Sequence, residues 1–299
     1  MSKQKKRFGD RKDGYLVRDA DTMHKFMPYI MPNRADAEAM VTELIDMTPV
    51  IQYVKNKNYE GIDFKYTFFH VICAAVAKTI ALRPKLNRFY AGRRLYQRNN
   101  ISLSFTVKKQ FTDHSEEGLA IVKPDCESDE SPVEQIYKKV KKICTKLKKE
   151  NQNDGATDIM GKLLVLPRPI VKMVVGILEW LDYHGWYPTS FMNDDPYYSS
   201  VFLSNLGSIK MRANYHHLTN WGTNSVFVIV GEKKLTPYHD ENGNVEMRDA
   251  LELGLTLDER IADGYYYSKS VRLLKALLAD PSLLDQPIMH VDDSIKDLV

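Results

Sequence analysis

Two short stretches of this 299-residue chain place polar, reactive side chains at the ends of apolar strands. In V-F-L-S-N-L-G-S, residues 201–208, an apolar run ends in Ser204, Asn205 and Gly207. A serine at a strand end beside a tight glycine turn can donate a hydrogen bond to negative charge that develops during a reaction. In L-E-L-G-L-T-L-D-E-R-I-A-D-G, residues 251–264, Leu251, Leu253, Leu255 and Leu257 alternate with Glu252, Gly254 and Thr256. That period of two marks a half-buried strand. Its lip carries Asp258, Glu259, Arg260 and Asp263, and a helix follows at once.

Histidine is the other common proton carrier, and the chain has eight. His216 and His217 are adjacent, so on a strand they face apart, which is poor geometry for one metal ion. No H-E-x-x-H and no helpfully spaced carboxylate supports zinc, and no metal site is expected. His24, His70, His114, His184, His239 and His290 are scattered and read as ordinary structural or surface residues. There is no G-x-G-x-x-G, no G-x-x-x-x-G-K-[ST] and no G-x-S-x-G, so nucleotide-binding and serine-hydrolase chemistry lack a motif.

The elements around these stretches follow from periodicity. Residues 1–20 read as a flexible basic tail. Residues 34–54 carry Met40, Leu44, Ile45, Val50 and Ile51 at helical spacing, with Pro49 expected to bend or break the helix. Residues 64–82 read as a central helix ended by Pro84. A hairpin with Ala91-Gly92 at its turn comes next, then a strand with Ile101, Leu103, Phe105 and Val107, a turn at Glu116-Glu117-Gly118 and a return strand. Ser131, Pro132 and Glu134 form the signature of a capping box opening a lysine-rich helix. A helix over 168–184 stops near Gly185; strands cover 200–205 and 225–230, and a last helix covers 265–279. Strands and helices are interspersed without regular βαβ spacing, which predicts an α/β fold with a mixed sheet in a single domain, 21–299.

Composition narrows the function classes. With 43% hydrophobic and 27% charged residues the chain can bury a sizeable core. A net charge of +3 makes no electrostatic case for nucleic acid. Three cysteines without a C-x-x-C pair, and no secretion signal, point to a reducing cytoplasm. The apolar segment 161–181 is interrupted by Pro167, Arg168, Pro169, Lys172 and Glu179. It is too short for a transmembrane helix and reads as a buried or interface helix; an exposed apolar face there would mark a membrane surface instead.

Taken together, the stretches resemble the catalytic domain of the dihydrolipoamide acyltransferases, the core subunits of 2-oxoacid dehydrogenase complexes, which share their fold with chloramphenicol acetyltransferase. F-F-H-V-I-C-A-A-V-A-K-T-I-A-L-R-P-K-L-N looks like the family's helix ending in Pro-x-Leu-Asn. I-S-L-S-F-T-V followed by E-E-G-L-A-I-V-K-P looks like its strand pair, L-S-N-L-G like its I-S-N-L-G, and S-V-F-V-I-V-G like its A-I-L-G strand. D-E-R-I-A-D-G falls where the family has D-H-R-x-x-D-G. Residues 165–195 look like a helical insertion, and no lipoyl domain is recognised.

The resemblance implies a two-layer α/β sandwich, a homotrimer with its active site between subunits, and acyl transfer from a coenzyme A thioester. A lipoyl-bearing or other protein partner is implied too. By position Ser204 matches the oxyanion serine, Asp263 the orienting aspartate, and Asn205 and Gly207 the same cofactor-side stretch, while Glu259 stands where the basic histidine belongs. A thiol has a pKa of about 8.5, against about 6.5 for histidine and about 4.3 for glutamate, so glutamate starts roughly 3 kcal/mol worse as its base. Burial of Glu259 would narrow the gap, or His216 or His217 would supply the base. A catalytically silent trimer that binds a ligand or protein is the alternative.

Overall fold

The computed structural model describes residues 5–108, 117–150, 161, 163–239 and 242–299. Among these, ten strands form two sheets. The larger holds β2 (Glu38–Asp46), β10 (Val245–Asp258), β8 (Val226–Val230), β7 (Val201–Asn205), β5 (Leu103–Lys108) and β6 (Glu117–Val122), in that order. β9 (Lys234–His239) pairs with the first half of β10. β7 runs parallel to both β5 and β8, and the other pairs are antiparallel, so the sheet is mixed. A smaller sheet joins β1 (Gly14–Leu16), β4 (Arg94–Arg98) and β3 (Arg88–Ala91).

The helices are α1 (Thr22–Ile30), α2 (Thr48–Lys57), α3 (Phe68–Leu82), α4 (Pro132–Glu150), α5 (Arg168–Tyr183), α6 (Thr189–Asp194) and α7 (Gly264–Ala279). One face of the large sheet packs on α3, α4 and α7. Val201, Leu203, Val226, Val228, Leu251, Leu253, Leu255 and Leu257 meet Ile72, Val76, Ile136, Leu273 and Leu277 there. The two-residue period puts Phe202, Ser204, Phe227, Ile229, Gly254 and Asp258 on the opposite face. Leu218 joins Phe202, Phe227 and Ile229 in a smaller cluster on that side. The result is the expected two-layer α/β sandwich.

α3 is apolar on every side because it is buried on every side, from His70 to Leu82 with one half-exposed residue, Ala81. Its N-terminus is closed by Thr67 and His70. The Thr67 backbone N–H donates to His70 Nδ1 at 3.0 Å, which leaves the ring proton on Nε2. The mixed segment 281–299 is held to the same helix by buried Lys78, whose Nζ donates to the carbonyls of Leu283 (2.8 Å) and Pro287 (3.2 Å).

Several local expectations are corrected. The helix expected over 34–54 is a strand, β2, followed by α2. The spacing misled because Met40 and Leu44 share the less covered sheet face, 40% and 39% exposed, while Ile45 enters the core at 4%. Pro49 opens α2 in its first turn, where a proline costs no hydrogen bond, instead of breaking it. The hairpin turn is Gly92-Arg93, both with positive φ, one residue beyond Ala91-Gly92. Glu117 and Gly118 already belong to β6, and residues 109–116 lie outside those described. The capping box of α4 is half made. Ser131 accepts from the Glu134 N–H at 3.3 Å, but the Glu134 carboxylate turns to the Tyr66 hydroxyl and Lys57. Part of the expected basic tail is built into the fold, since Arg11 is buried and β1 pairs with β4.

Burial pulls the His70 imidazole down to about 4. In the unfolded chain it titrates near 6.5, so the unfolded state takes up the proton first as pH falls. The stability from neutral His70 is complete above about 6.5 and is lost on the way down to about 4, to the extent of about 3 kcal/mol. Urea unfolding at pH 7.5 and pH 4.5 should show that loss, and His70→Gln should flatten the slope.

Candidate active site

The lip of β10 is locked by a buried ion group. The Asp258 side chain is fully buried, and Arg260 grips it with two bonds, Nε to Oδ1 and Nη2 to Oδ2, each 2.8 Å. Arg34 approaches from the segment before β2, its Nε 4.0 Å from Asp258 Oδ2. Burial pulls the Arg34 guanidinium below its ordinary range, with Asp258 opposing. Burial also disfavours the Arg260 charge, but the bonded carboxylate outweighs it and holds that group above its ordinary range. Arg260 Nη1 donates to the Met31 carbonyl at 2.7 Å, and the Tyr267 hydroxyl donates to the Asp258 carbonyl at 2.5 Å. A cavity of about 360 Å³ opens beside this group, lined in part by Arg34, Tyr90, Tyr198, Trp221 and Arg260.

Glu259 is excluded from this knot. Its backbone N–H donates to the Ala37 carbonyl at 2.9 Å, while its side chain is exposed and has no hydrogen bond or ion pair among the described residues. Arg260 is committed to Asp258 and makes no ion pair with Glu259 among the described residues. Asp263 caps α7, accepting from the Tyr266 N–H at 2.8 Å. That bond holds its carboxyl below the usual carboxylate range.

The loop from Leu206 to Asn224 crosses the second face of the sheet. A side chain at Gly254 would overlap the Asn214 carbonyl, and one at Gly231 would overlap the Ala213 backbone, so both glycines let the loop lie flat on the strands. Tyr215 hydrogen-bonds Thr42 on β2. His216 stacks on Phe227 with ring centroids 4.5 Å apart. His217 places Nδ1 2.8 Å from Glu38 Oε2 at the start of β2, and the other Glu38 oxygen accepts from the Leu218 N–H. Further on, Arg34 takes the Thr219 carbonyl, and its own N–H donates to Asn220 Oδ1 at 2.9 Å. The loop therefore delivers His217 to the end of the sheet that carries Glu259, because Glu38 pairs in register with Asp258.

Ser204 lies at the other end. Ser204, Ile229 and Gly254 share one level across β7, β8 and β10. Glu259 is five residues past Gly254 and two strands away, which amounts to about 16 Å along the strands and about 10 Å across them. Within the chain the structure brings His217 and Glu259 to one lip and leaves Ser204 apart. The Ser204 hydroxyl has no hydrogen bond among the described residues, and neighbouring Asn205 keeps a buried Oδ1 with no donor. Gly207 packs against the Gly231 carbonyl, 2.6 Å from where its Cβ would stand. No group of three metal-ligating side chains occurs among the described residues.

These elements define the chloramphenicol acetyltransferase class of fold. The chain superposes on a probable dihydrolipoamide acetyltransferase from Listeria monocytogenes with a TM-score of 0.57 at 17% identity, over 93% of this chain and 94% of that one. The dihydrolipoamide acetyltransferase of Azotobacter vinelandii gives 0.57 at 16% identity, over 89% and 93%. Chloramphenicol acetyltransferase gives 0.58 at 10% identity, over 89% and 99%. No family model and no curated protein matches the sequence. At such identities it is the fold that is shared.

Glu38 and Arg34 were not singled out from sequence. Both lie where a helix was expected, and their partners are about 180 residues away in the chain. Asp258→Asn leaves Arg260 and Arg34 without their buried counter-charge. We expect a loss of about 3–5 kcal/mol in urea unfolding. Loss below 1 kcal/mol would show that the knot does not hold the lip.

Proposed function

We propose that the protein transfers an acyl group from a coenzyme A thioester to a thiol or comparable nucleophile, at a site completed by a second protomer. The observation that carries this reading is the lip itself: an imidazole oriented by a buried carboxylate, beside Glu259, in the fold of the dihydrolipoamide acetyltransferases. A serine and a histidine are among the residues studied for their catalytic role in the Azotobacter vinelandii enzyme.

In this reading Glu38 accepts Nδ1–H of His217, which leaves Nε2 bare as the proton acceptor. The His217 ring is 80% exposed and free to meet a partner subunit, while Glu38 is 5% exposed and firmly held. The acceptor thiol gives its proton to Nε2 as its sulfur attacks the thioester carbonyl carbon. The carbonyl oxygen becomes an oxyanion, and Ser204 of the neighbouring protomer donates a hydrogen bond to it. Collapse breaks the carbon–sulfur bond to coenzyme A, and the leaving thiolate takes the proton back. The buried acceptor of Asn205 suits an amide N–H, which the pantetheine arm of coenzyme A carries. Glu259 lies exposed at the entrance. A homotrimer is the assembly this arrangement calls for.

Calorimetric titration with acetyl-CoA tests the reading first; saturable binding near one per protomer supports it, and no binding at millimolar ligand by folded protein contradicts it. With dihydrolipoamide as acceptor, Ser204→Ala should cost about 10²–10³ in kcat. His217→Gln should cost about 10²–10⁴, with little change in acetyl-CoA affinity. If Glu259→Gln abolishes turnover while His217→Gln leaves it intact, the base has been misassigned.

A further inference from the structure

Arg98, the last residue of β4, is buried, 3% exposed, and forms no ion pair among the described residues. Its Nη1 donates to the Tyr198 carbonyl at 3.0 Å and its Nη2 to the Thr223 carbonyl, while Nε has no acceptor. The guanidinium lies over the Phe89 ring, 4.5 Å from its centroid. Carbonyl dipoles and a ring face ease a buried cation without cancelling its charge. Neighbouring arginines are treated differently. Arg260 has Asp258, and Arg11 has Asp13 and, on α5, Asp182. The helix expected to be buried, α5, has no buried residue and is held through that Asp182 contact. Burial pulls the Arg98 guanidinium down to about 9, with Asp13 opposing and Arg34 and Arg11 adding to the fall.

Two cavities meet at Arg98. The smaller, about 130 Å³, lies between the end of β4, β6 and α6, and its lining includes Lys12, Asn100 and Lys123. Lys12 and Lys123 are exposed, and neither has an ion pair among the described residues. Lys123 Nζ reaches only Asn193 Oδ1, at 3.0 Å. The two carboxylates of this cavity are already engaged. Asp13 binds Arg11, and Asp195 accepts from the Trp221 indole N–H at 2.7 Å and the Tyr197 N–H at 2.9 Å. The larger cavity, about 910 Å³, shares Arg98, Asn99, Asn100 and Lys123 with the smaller, so the two adjoin. It adds apolar Leu16, Val17, Ile101 and Pro124, and also the carboxylates of Asp19, Asp125 and Glu127. Charge thus favours an anionic head in the small cavity and an uncharged body in the large one.

We propose that the smaller cavity binds a phosphate group, with Arg98 as the buried charge behind it and Lys12, Lys123 and the Asn100 amide as donors around it. A phosphate brings up to two negative charges and several acceptor oxygens, which suits donors arriving from separate segments. A carboxylate, with one charge and two oxygens, leaves part of this donor set idle. Free phosphate and a phosphate ester both supply the group, and an ester lays its organic part in the larger cavity. Ser204, His217 and Glu259 line neither cavity, so this site is separate from the proposed transfer site and stands independently of it.

Calorimetric titration of the intact protein with inorganic phosphate and with phenyl phosphate, at low salt in phosphate-free buffer, tests the site. Saturable binding near one per chain is expected. Phenyl phosphate tighter by about tenfold or more assigns the site to an ester, and equal affinities assign it to the free anion. Lys12→Ala/Lys123→Ala removes only exposed side chains and should weaken binding at least about tenfold, with the melting temperature of the unliganded protein unchanged. Arg98→Met should abolish binding. Because that change also removes two bonds to carbonyls, its circular dichroism is compared with wild type, and the lysine variant carries the test if it fails to fold. His217→Gln should bind both probes as wild type does; loss there would move the phosphate to the transfer site and overturn the proposal. No saturable binding of either probe at about 10 mM overturns it as well, as does unchanged binding by Lys12→Ala/Lys123→Ala.

Discussion

The sheet edge that carries the proposed site depends on one buried carboxylate. Asp258 carries its charge to a fully buried position, which is sustainable because Arg260 takes both oxygens and Arg34 stands close by. The pair with Arg260 closes the turn from β10 into α7, and so fixes where Glu259 projects and where Asp263 caps. Arg34 passes the constraint on, since it also holds the Thr219 carbonyl and, through its backbone, the side chain of Asn220. Those residues end the loop that carries His217. A single charge group thus sets the strand lip, the helix start and the histidine together.

Sheet geometry imposes the second constraint. Strand register keeps Ser204 far from the lip, and no rotamer spans the gap. In the proposed reading each protomer holds two half-sites, one with a hydroxyl and a buried acceptor that lack partners among the described residues, the other with an oriented imidazole. Joining the halves across a subunit boundary is a natural use of such a surface, because it removes water from both at once. The same contact would cover Met40 and Leu44, which lie exposed on the sheet face that bears both halves.

Much of this was legible in the chain. Alternating leucines gave β10 its strand, and the strong apolar run around Cys73 gave the central helix. Asp263, the strand-end serine and the overall sandwich could be placed from motif order, whereas the role of Asp263 as the cap of α7 shows only in the structure. What stayed hidden depends on distant partners. β2 carries leucine and methionine on its less covered face, so its alternation imitates helical spacing. Glu38 reads as an ordinary surface acid until the loop brings His217 onto it. Gly254 looks like a flaw in a leucine strand, and only the Asn214 carbonyl lying against it explains it. Resemblance pointed to a histidine at position 259 and found glutamate; the structure leaves that glutamate exposed and puts an imidazole nearby from another segment.

The most direct measurement of this account is complementation between two inactive proteins. Ser204→Ala and His217→Gln, each purified, would be mixed, unfolded, refolded together and assayed for CoA release from acetyl-CoA with dihydrolipoamide. Random trimers unite an intact Ser204 half with an intact His217 half at roughly one boundary in four, so about a quarter of wild-type turnover should return. Mixed trimers that form, as native mass spectrometry would verify, yet stay as inactive as either parent would contradict a site shared between protomers.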